Sequence, residues 1–366
     1  MTIHQPALFE YINKTQPTTD GPDLSSDSTY MCQSSYESSL WAIGSCIEAA
    51  DIMLQHFIDE NAKPENYFVL CRPPGHHSES NTAQGFCLFN NIAVCASHLQ
   101  ERLKSINSTA THEIPNRVMI FDFDVHHGNG TEKIFYQSKD TLYISTHLFG
   151  DKRFYPYTGS IESTGKDEGE GFNVNIPLPC VNCGDEEFLM IIDEIVIPLA
   201  QEYSPSFLLI SAGYDIMEGD SVGRMLVTPK GIHEMVSRLQ HIPSIKNQVL
   251  CVLEGGYSHS ILAEGVCATV QSLLHQPFMS FDSLKQKKMW LVKRADNDTG
   301  SGSDEFKEKE EEEMDEVIRI NPSVKKRVKD AVSGAICKVK EIQGKYWKCF
   351  SAAHNEASSS STPSSS

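Results

Sequence analysis

The sequence predicts an α/β fold with a mostly parallel central sheet and helices on both faces. Three observations carry that prediction. Short apolar segments alternate with helical stretches along most of the chain, as layered α/β proteins require. Two of these segments, FLLISA (207–212) and QVLCVLE (248–254), are nearly continuous apolar runs, the pattern of strands buried on both faces. The chain has 366 residues, 40% hydrophobic and 22% charged, enough for a sizeable core and too apolar for a disordered chain.

Residues 1–29 are polar and rich in Pro, Thr, Ser and Asp, apart from an apolar stretch near Leu8–Ile12, and read as a partly flexible N-terminal segment. From Ser38 to Ile58, the apolar positions Leu40, Ile43, Ile47, Ala50 and Leu54 recur at helical steps. YFVL (67–70) is a strand that runs into the loop RPPGHHSESNTAQGF, and 91–103 is a helix. VMIFDF (118–123), LYIST (142–146) and FNVNI (172–176) are strands, and helices are expected over 185–203 and 228–241. The segment 297–316 is acidic and poor in apolar residues, which predicts a solvated loop, with a docking surface for basic tails as the alternative. Residues 322–350 recover a helical pattern through Val324, Val328, Val332, Ile336, Val339 and Ile342. The Ser-rich end, 351–366, reads as disordered.

The formal net charge of −18 opposes non-specific binding to nucleic acid or anionic membranes and suits a lysine-rich partner. No apolar run is long enough for a transmembrane helix, and MTIHQPALFEYINK lacks the pattern of a secretory signal. Eleven cysteines without framework spacing indicate free thiols in a reducing compartment. Cys180 and Cys183 form a CxxC with no second pair nearby, so they read as ordinary loop cysteines.

Four residue clusters lie at the C-terminal ends of predicted strands, where open α/β sheets bind ligands. They are GHH (75–77), DFDVHHGNGT (122–131), AGYD (212–215) and EGGY (254–257). Strand alternation would let Asp122, Asp124 and His126 converge. With Asp215 at an equivalent strand end, these types and numbers of ligands suit a catalytic zinc ion. Taken alone, the DxDxH pattern equally fits acids that cap helices or bind backbone amides. His76 and His77 suit proton transfer near neutral pH, or form a solvated dipeptide. Tyr257, after Gly255 and Gly256, suits donation to an oxyanion, or is a core aromatic.

The ordered segments RPPGHHSE, GFCLFNNIAVCA, DFDVHHGNGTEKIFY, LYISTH, SAGYD and LEGGYS resemble the signatures of the zinc-dependent histone deacetylases of the arginase–deacetylase superfamily. HHGNGT and LEGGY resemble the class II branch, and the resemblance runs from about Tyr30 to Phe350. It implies a three-layer arginase/deacetylase-like fold and a catalytic domain over 30–350. It implies zinc held by Asp124, His126 and Asp215, the tandem histidines His76 and His77, Asp122 bonded to the first of them, and Tyr257 as the catalytic tyrosine. Phe86 and Tyr155 would wall a substrate tunnel floored by Gly85, with Val222 and Ser34 at its rim. An inner potassium ion would be held at Asp122, Asp124, His126, Ser145 and Thr146. An outer one would lie at Phe135, Ser138, Thr141 and Phe172. The implied substrates are acetylated lysine-containing protein tails, histones among them. Residence is expected in the cytoplasm, the nucleus or both, and the Glu block and Ser-rich tail offer a bacterial effector delivered into a host cell as the alternative.

Several features depart from the family pattern. The N-terminal His/Pro/Glu/Arg-rich loop and first strand are not found. Asn129 stands where class I members carry a second relay aspartate, and Tyr155 replaces a phenylalanine. Val222 occupies the position of an acidic gate in acetylpolyamine amidohydrolases, which disfavours polyamines, while Glu218 nearby leaves that alternative open. A non-catalytic acetyl-lysine-binding scaffold would require loss of a zinc ligand or of the tyrosine, and all of these residues are present.

Overall fold

The computed structural model describes residues 3–14, 29–59, 61–63, 65–108, 114–150, 153–245, 248–284 and 321–351. The acidic segment 297–316 and nearly all of the Ser-rich end lie outside the described residues. Six strands form one sheet: β1 (Tyr67–Val69), β2 (Val118–Asp122), β3 (Thr141–Leu148), β4 (Asn173–Leu178), β5 (Phe207–Ala212) and β6 (Val249–Leu253). Their order is β1-β6-β5-β2-β3-β4. Every pairing is parallel.

Side chains alternate across the sheet and feed two cores. Met119, Phe121, Ile144, Val174, Leu208, Ile210 and Cys251 belong to one cluster. Val118, Ile120, Tyr143, Leu209, Leu250 and Val252 belong to the other. Burial on both faces is why these strands read as continuous apolar runs. The first face is covered by α5 (Asp185–Ile191), a π-helical turn (Ile192–Val196), α6 (Ile197–Tyr203), α7 (Pro229–Gln240) and α9 (Pro322–Gln343). The second face is covered by α2 (Ser35–Ile58) and α3 (Asn91–Asn107). The periodic valines and Ile336 of α9 do pack inward: Val328, Val332, Ile336 and Val339 are buried.

The polar N-terminal segment contains a helix, α1 (Pro6–Lys14), that joins the body of the protein. Leu8 and Ile12 are buried with Ile43, Leu88 and Phe89, and the Phe9 ring stacks on Phe89 at 4.4 Å. Two further helices, α4 (Asn129–Phe135) and α8 (His259–Leu273), begin directly after motif residues.

Strand order decides where chemistry can occur. From β2 the chain steps outward through β3 to β4, then crosses back to lay β5 and β6 on the other side of β2. The crevice between the ends of β2 and β5 is thus the topological switch point, the usual ligand position in such sheets.

Candidate active site

Asp122 is the last residue of β2, in register with Ser145 on β3 and Ser211 on β5. The strand stops there, so Asp124 and His126 lie on the following turn. Strand alternation is therefore not what brings the ligands together. The turn is built on its own backbone: Asp124 N–H donates to Asp122 Oδ1 (3.2 Å), and His126 N–H to Asp124 Oδ1 (2.8 Å). Val125 N–H donates to Asp215 Oδ1 (2.9 Å), and Gly255 N–H to Asp124 Oδ2 (2.9 Å). Segments after β2, β5 and β6 thereby aim two carboxylates at one imidazole.

Asp124, His126 and Asp215 are buried, with one potential ligand atom from each lying within 4.8 Å of the others. His126 Nδ1 is 2.9 Å from Asp124 Oδ1 and 3.1 Å from Asp215 Oδ2. Asp215 Oδ2 is buried and, among the described residues, has no polar partner besides the His126 ring. Burial opposes charge on Asp124, but His76 and His126 hold its carboxyl well below the usual range. Burial, then the Asp124 charge, raises Asp215 to about 7 against the pull of His126. Burial disfavours the His126 imidazolium, yet the two carboxylates raise it to about 9. Two acids and a nitrogen converging in a buried pocket fit a divalent cation. Glycine is required beside them: a Cβ at Gly213 would lie 2.0 Å from Asp124 Oδ2, and one at Gly255 would lie 2.6 Å from Oδ2 of both aspartates.

The tandem histidines occupy different environments. His76 Nδ1–H donates to Asp122 Oδ2 (3.0 Å), which also accepts from Tyr143 OH (3.0 Å). Burial opposes the His76 imidazolium, but Asp122, Asp124 and Glu254 raise it to about 10. His77 Nδ1–H donates to the Asn129 amide oxygen (2.8 Å). Burial, then the charges of His76 and His126, push His77 well below the usual histidine range. Its imidazole is thereby held neutral, with Nδ1 committed to Asn129. Asn129 donates in turn to Glu79 Oε1 (3.1 Å), where Lys133 and Gln84 also bind.

The loop carrying these histidines is held by Glu254, to which the sequence pattern assigns no role. Its Oε2 accepts from Gly75 N–H (2.7 Å) and His76 N–H (3.1 Å), and its Oε1 from Ser211 Oγ (3.1 Å). Burial raises Glu254 to about 7 against the His76 charge. Gly85 packs on the His77 ring, 2.4 Å from where a Cβ would sit.

Around the mouth, Tyr257 is 40% exposed, and its ring meets Phe86 at 6.4 Å and His126 at 6.5 Å. Burial of its phenol, then Asp124 and Asp215, push its pKa above the tyrosine range. Tyr155 lies edge-on to His77 at 5.0 Å. Phe154 stacks on His126 at 5.0 Å, a contact the sequence did not signal. Val222 is exposed, and its N–H is held by Asp220. Ser34 precedes α2 without a side-chain bond to it, its hydroxyl lying near the Cys32 thiol; Ser35, Phe86 and Tyr257, rather than Ser34, line the adjoining groove of about 510 Å³.

At the positions expected to hold an inner potassium ion, Ser145 Oγ bonds His147 Nδ1 (2.9 Å) and Thr146 Oγ1 is buried without a partner among the described residues. At the outer ones, the Phe135 and Phe172 carbonyls accept Ser138 N–H (2.8 Å) and Tyr143 N–H (2.9 Å). Thr141 Oγ1 accepts from Gln100 (2.9 Å).

The histone deacetylase domain family matches residues 1–273. Histone deacetylase HDA1 of Saccharomyces cerevisiae is 31% identical over 360 residues, covering 97% of this chain and 43% of that protein. The human polyamine deacetylase HDAC10 is 33% identical over 282 residues, covering 75% of this chain and 39% of that one. The crystal structure of the HDA15 HD domain superposes with a TM-score of 0.73 at 28% identity, covering 98% of this chain and 82% of that one. The chain thus spans about two fifths of the length of these curated relatives. With its wholly parallel sheet and a ligand set at the switch point, this protein belongs to the histone deacetylase family.

Proposed function

We propose that the chain hydrolyses the acetyl amide of N6-acetyl-lysine in protein tails, histones included. The observation that carries this reading is the buried Asp124–His126–Asp215 group, whose Asp215 Oδ2 meets no polar group outside the trio among the described residues, beside a neutral histidine and below a tyrosine. A zinc ion held by these three residues would polarise the acetyl carbonyl and acidify water at neutral pH.

The protein's own groups perform the rest. His77 takes the proton of the attacking water at Nε2, since Asn129 occupies its Nδ1–H. It then passes that proton to the departing lysine amine. Asp122 orients His76, whose positive charge favours negative charge developing nearby. Tyr257 donates to the oxyanion, a contribution of about 3–4 kcal/mol for one well-placed donor. Phe86 and Tyr155 give apolar walls suited to the (CH₂)₄ stem of an acylated lysine. Ser145 and Thr146, with Asp122, Asp124 and His126, would hold a potassium ion; the buried Thr146 hydroxyl without a partner supports that assignment.

An acetylpolyamine substrate is the second reading, supported by similarity to the human polyamine deacetylase. The apolar side chain at Val222 gives a second amine no Coulomb attraction, which favours acetyl-lysine. The catalytic body is assigned to 30–350, and residence to the cytoplasm or nucleus. Among the described residues no helix is long and apolar enough to cross a membrane. The relatives named above with their organisms are from yeast and human and lend no support to a bacterial effector.

The test is hydrolysis of acetyl-lysine peptides and acetylpolyamines by the purified chain, with metal analysis and chelation. The expected result is one zinc per chain and peptide hydrolysis lost on chelation and restored by zinc. Tyr257→Phe should lower turnover by about 10²-fold. Full activity of the metal-free protein, or of Tyr257→Phe, would overturn the mechanism.

A further inference from the structure

Asp220 is a buried carboxylate, 6% exposed, that pairs with no lysine, arginine or histidine among the described residues. Its charge is met by backbone instead. Oδ1 accepts from Val222 N–H (2.8 Å) and Gly223 N–H (3.3 Å). Oδ2 accepts from Tyr257 N–H (2.7 Å) and Ser258 N–H (3.2 Å). One side chain thus joins the loop after Asp215 to the turn that carries Tyr257.

The start of that turn is held at Gly255, whose N–H donates to Asp124 Oδ2 (2.9 Å) and whose carbonyl accepts from Tyr214 N–H (2.9 Å), but neither bond reaches position 257. Gly256 adopts a φ of 131°, and Gly255 carries no side chain to pack. The Tyr257 ring is partly exposed, and its ring contacts, to Phe86 and His126, are both edge-on. Ser258 begins α8 without a side-chain cap of its own. The strongest anchor at position 257 is therefore the 2.7 Å bond from its own N–H to Asp220. Charge-assisted bonds of this kind are roughly twice as strong as neutral ones. Misplacing a reacting group by about 1 Å can cost 10²-fold in rate.

We infer that Asp220 is a positioning residue that holds the Tyr257 hydroxyl over the reacting carbonyl by clamping the backbone of residues 257 and 258. The inference rests on the proposed role of Tyr257. Asparagine at 220 would present an amide N–H to one of the two loops and break that half of the clamp. Gly223 also abuts the Asp215 carbonyl, 1.9 Å from where a Cβ would sit, so an effect through the metal ligands must be separated from one through Tyr257.

A double-mutant cycle does this. Wild type, Asp220→Asn, Tyr257→Phe and the double variant are assayed on one acetyl-lysine peptide, with zinc content and melting temperature measured for each. Asp220→Asn is expected to lower kcat about 10- to 100-fold with little change in KM and full zinc content. In the Tyr257→Phe background the same change should cost less than about 2-fold, because the group being positioned is gone. The loss should also shrink on a trifluoroacetyl-lysine peptide, whose oxyanion needs less stabilisation. An equal loss in both backgrounds, loss of zinc, or unchanged kcat overturns the inference. If Asp220→Asn does not fold, Asp220→Glu, which keeps the charge but lengthens the arm, is judged by the same cycle. Wild-type turnover in Tyr257→Phe defeats the proposed function itself, whereas a slow Tyr257→Phe with an unaffected Asp220→Asn defeats only the role of Asp220.

Discussion

Replacing Asn129 by aspartate should move the acidic limb of the pH–rate profile upward. In the native chain burial, then the His76 and His126 charges, hold His77 well below the ordinary histidine value of 6.5. A general base works in its neutral form, so activity is lost only as pH falls through that lowered value. Asn129 Oδ1 lies 2.8 Å from His77 Nδ1. A carboxylate in its place stabilises the imidazolium, and opposite charges this close shift a pKa by about 1–3 units. One neighbouring charge opposes it. The Asn129 amide donates to Glu79 Oε1 at 3.1 Å, so the introduced carboxylate would face a like charge, partly offset by Lys133 at 2.6 Å from the same oxygen. The lower half of the range follows, a rise of about 1–2 units, each worth about 1.4 kcal/mol. The assay is kcat/KM from pH 5 to 9 on a peptide with no titrating residue near the acetyl-lysine, which reports the free enzyme. An acidic limb that coincides with wild type within about 0.2 unit, or moves down, would refute His77 as the base.

Gly255→Ala places a Cβ 2.6 Å from the Asp124 and Asp215 oxygens and should weaken zinc affinity by at least about tenfold, measured by competition with a chromophoric chelator. Val222→Glu puts a carboxylate at an exposed rim position and should raise kcat/KM for acetylpolyamines by about 2- to 5-fold at low salt, an advantage that added salt removes. Ile336→Ala deletes a buried side chain where α9 meets the sheet and should cost about 2–4 kcal/mol in urea unfolding; a loss under about 1 kcal/mol would show that α9 is not part of the core.

The layered fold was legible because burial on both faces leaves a one-dimensional trace. FLLISA and QVLCVLE have no polar face to show, and β5 and β6 are where they point. The candidate ligand group Asp124, His126 and Asp215 was legible because histidines and paired aspartates at strand ends are unusual in local sequence. The helix at Pro6–Lys14 was hidden, since two inward residues in a nine-residue helix barely register against polar neighbours.

Sequence alone determined which residue types stand at the ends of β2, β5 and β6, because those follow from local pattern. Only the tertiary structure decided how they meet. Asp124 and His126 are placed by a turn rather than a strand, and Asp215 reaches them because the chain crosses back beside β2. Glu254 and Asp220 could not be recognised in advance for a related reason. Their partners are mostly backbone N–H groups, which nearly every residue possesses, so the contacts leave no signature in the identity of the residues they bind.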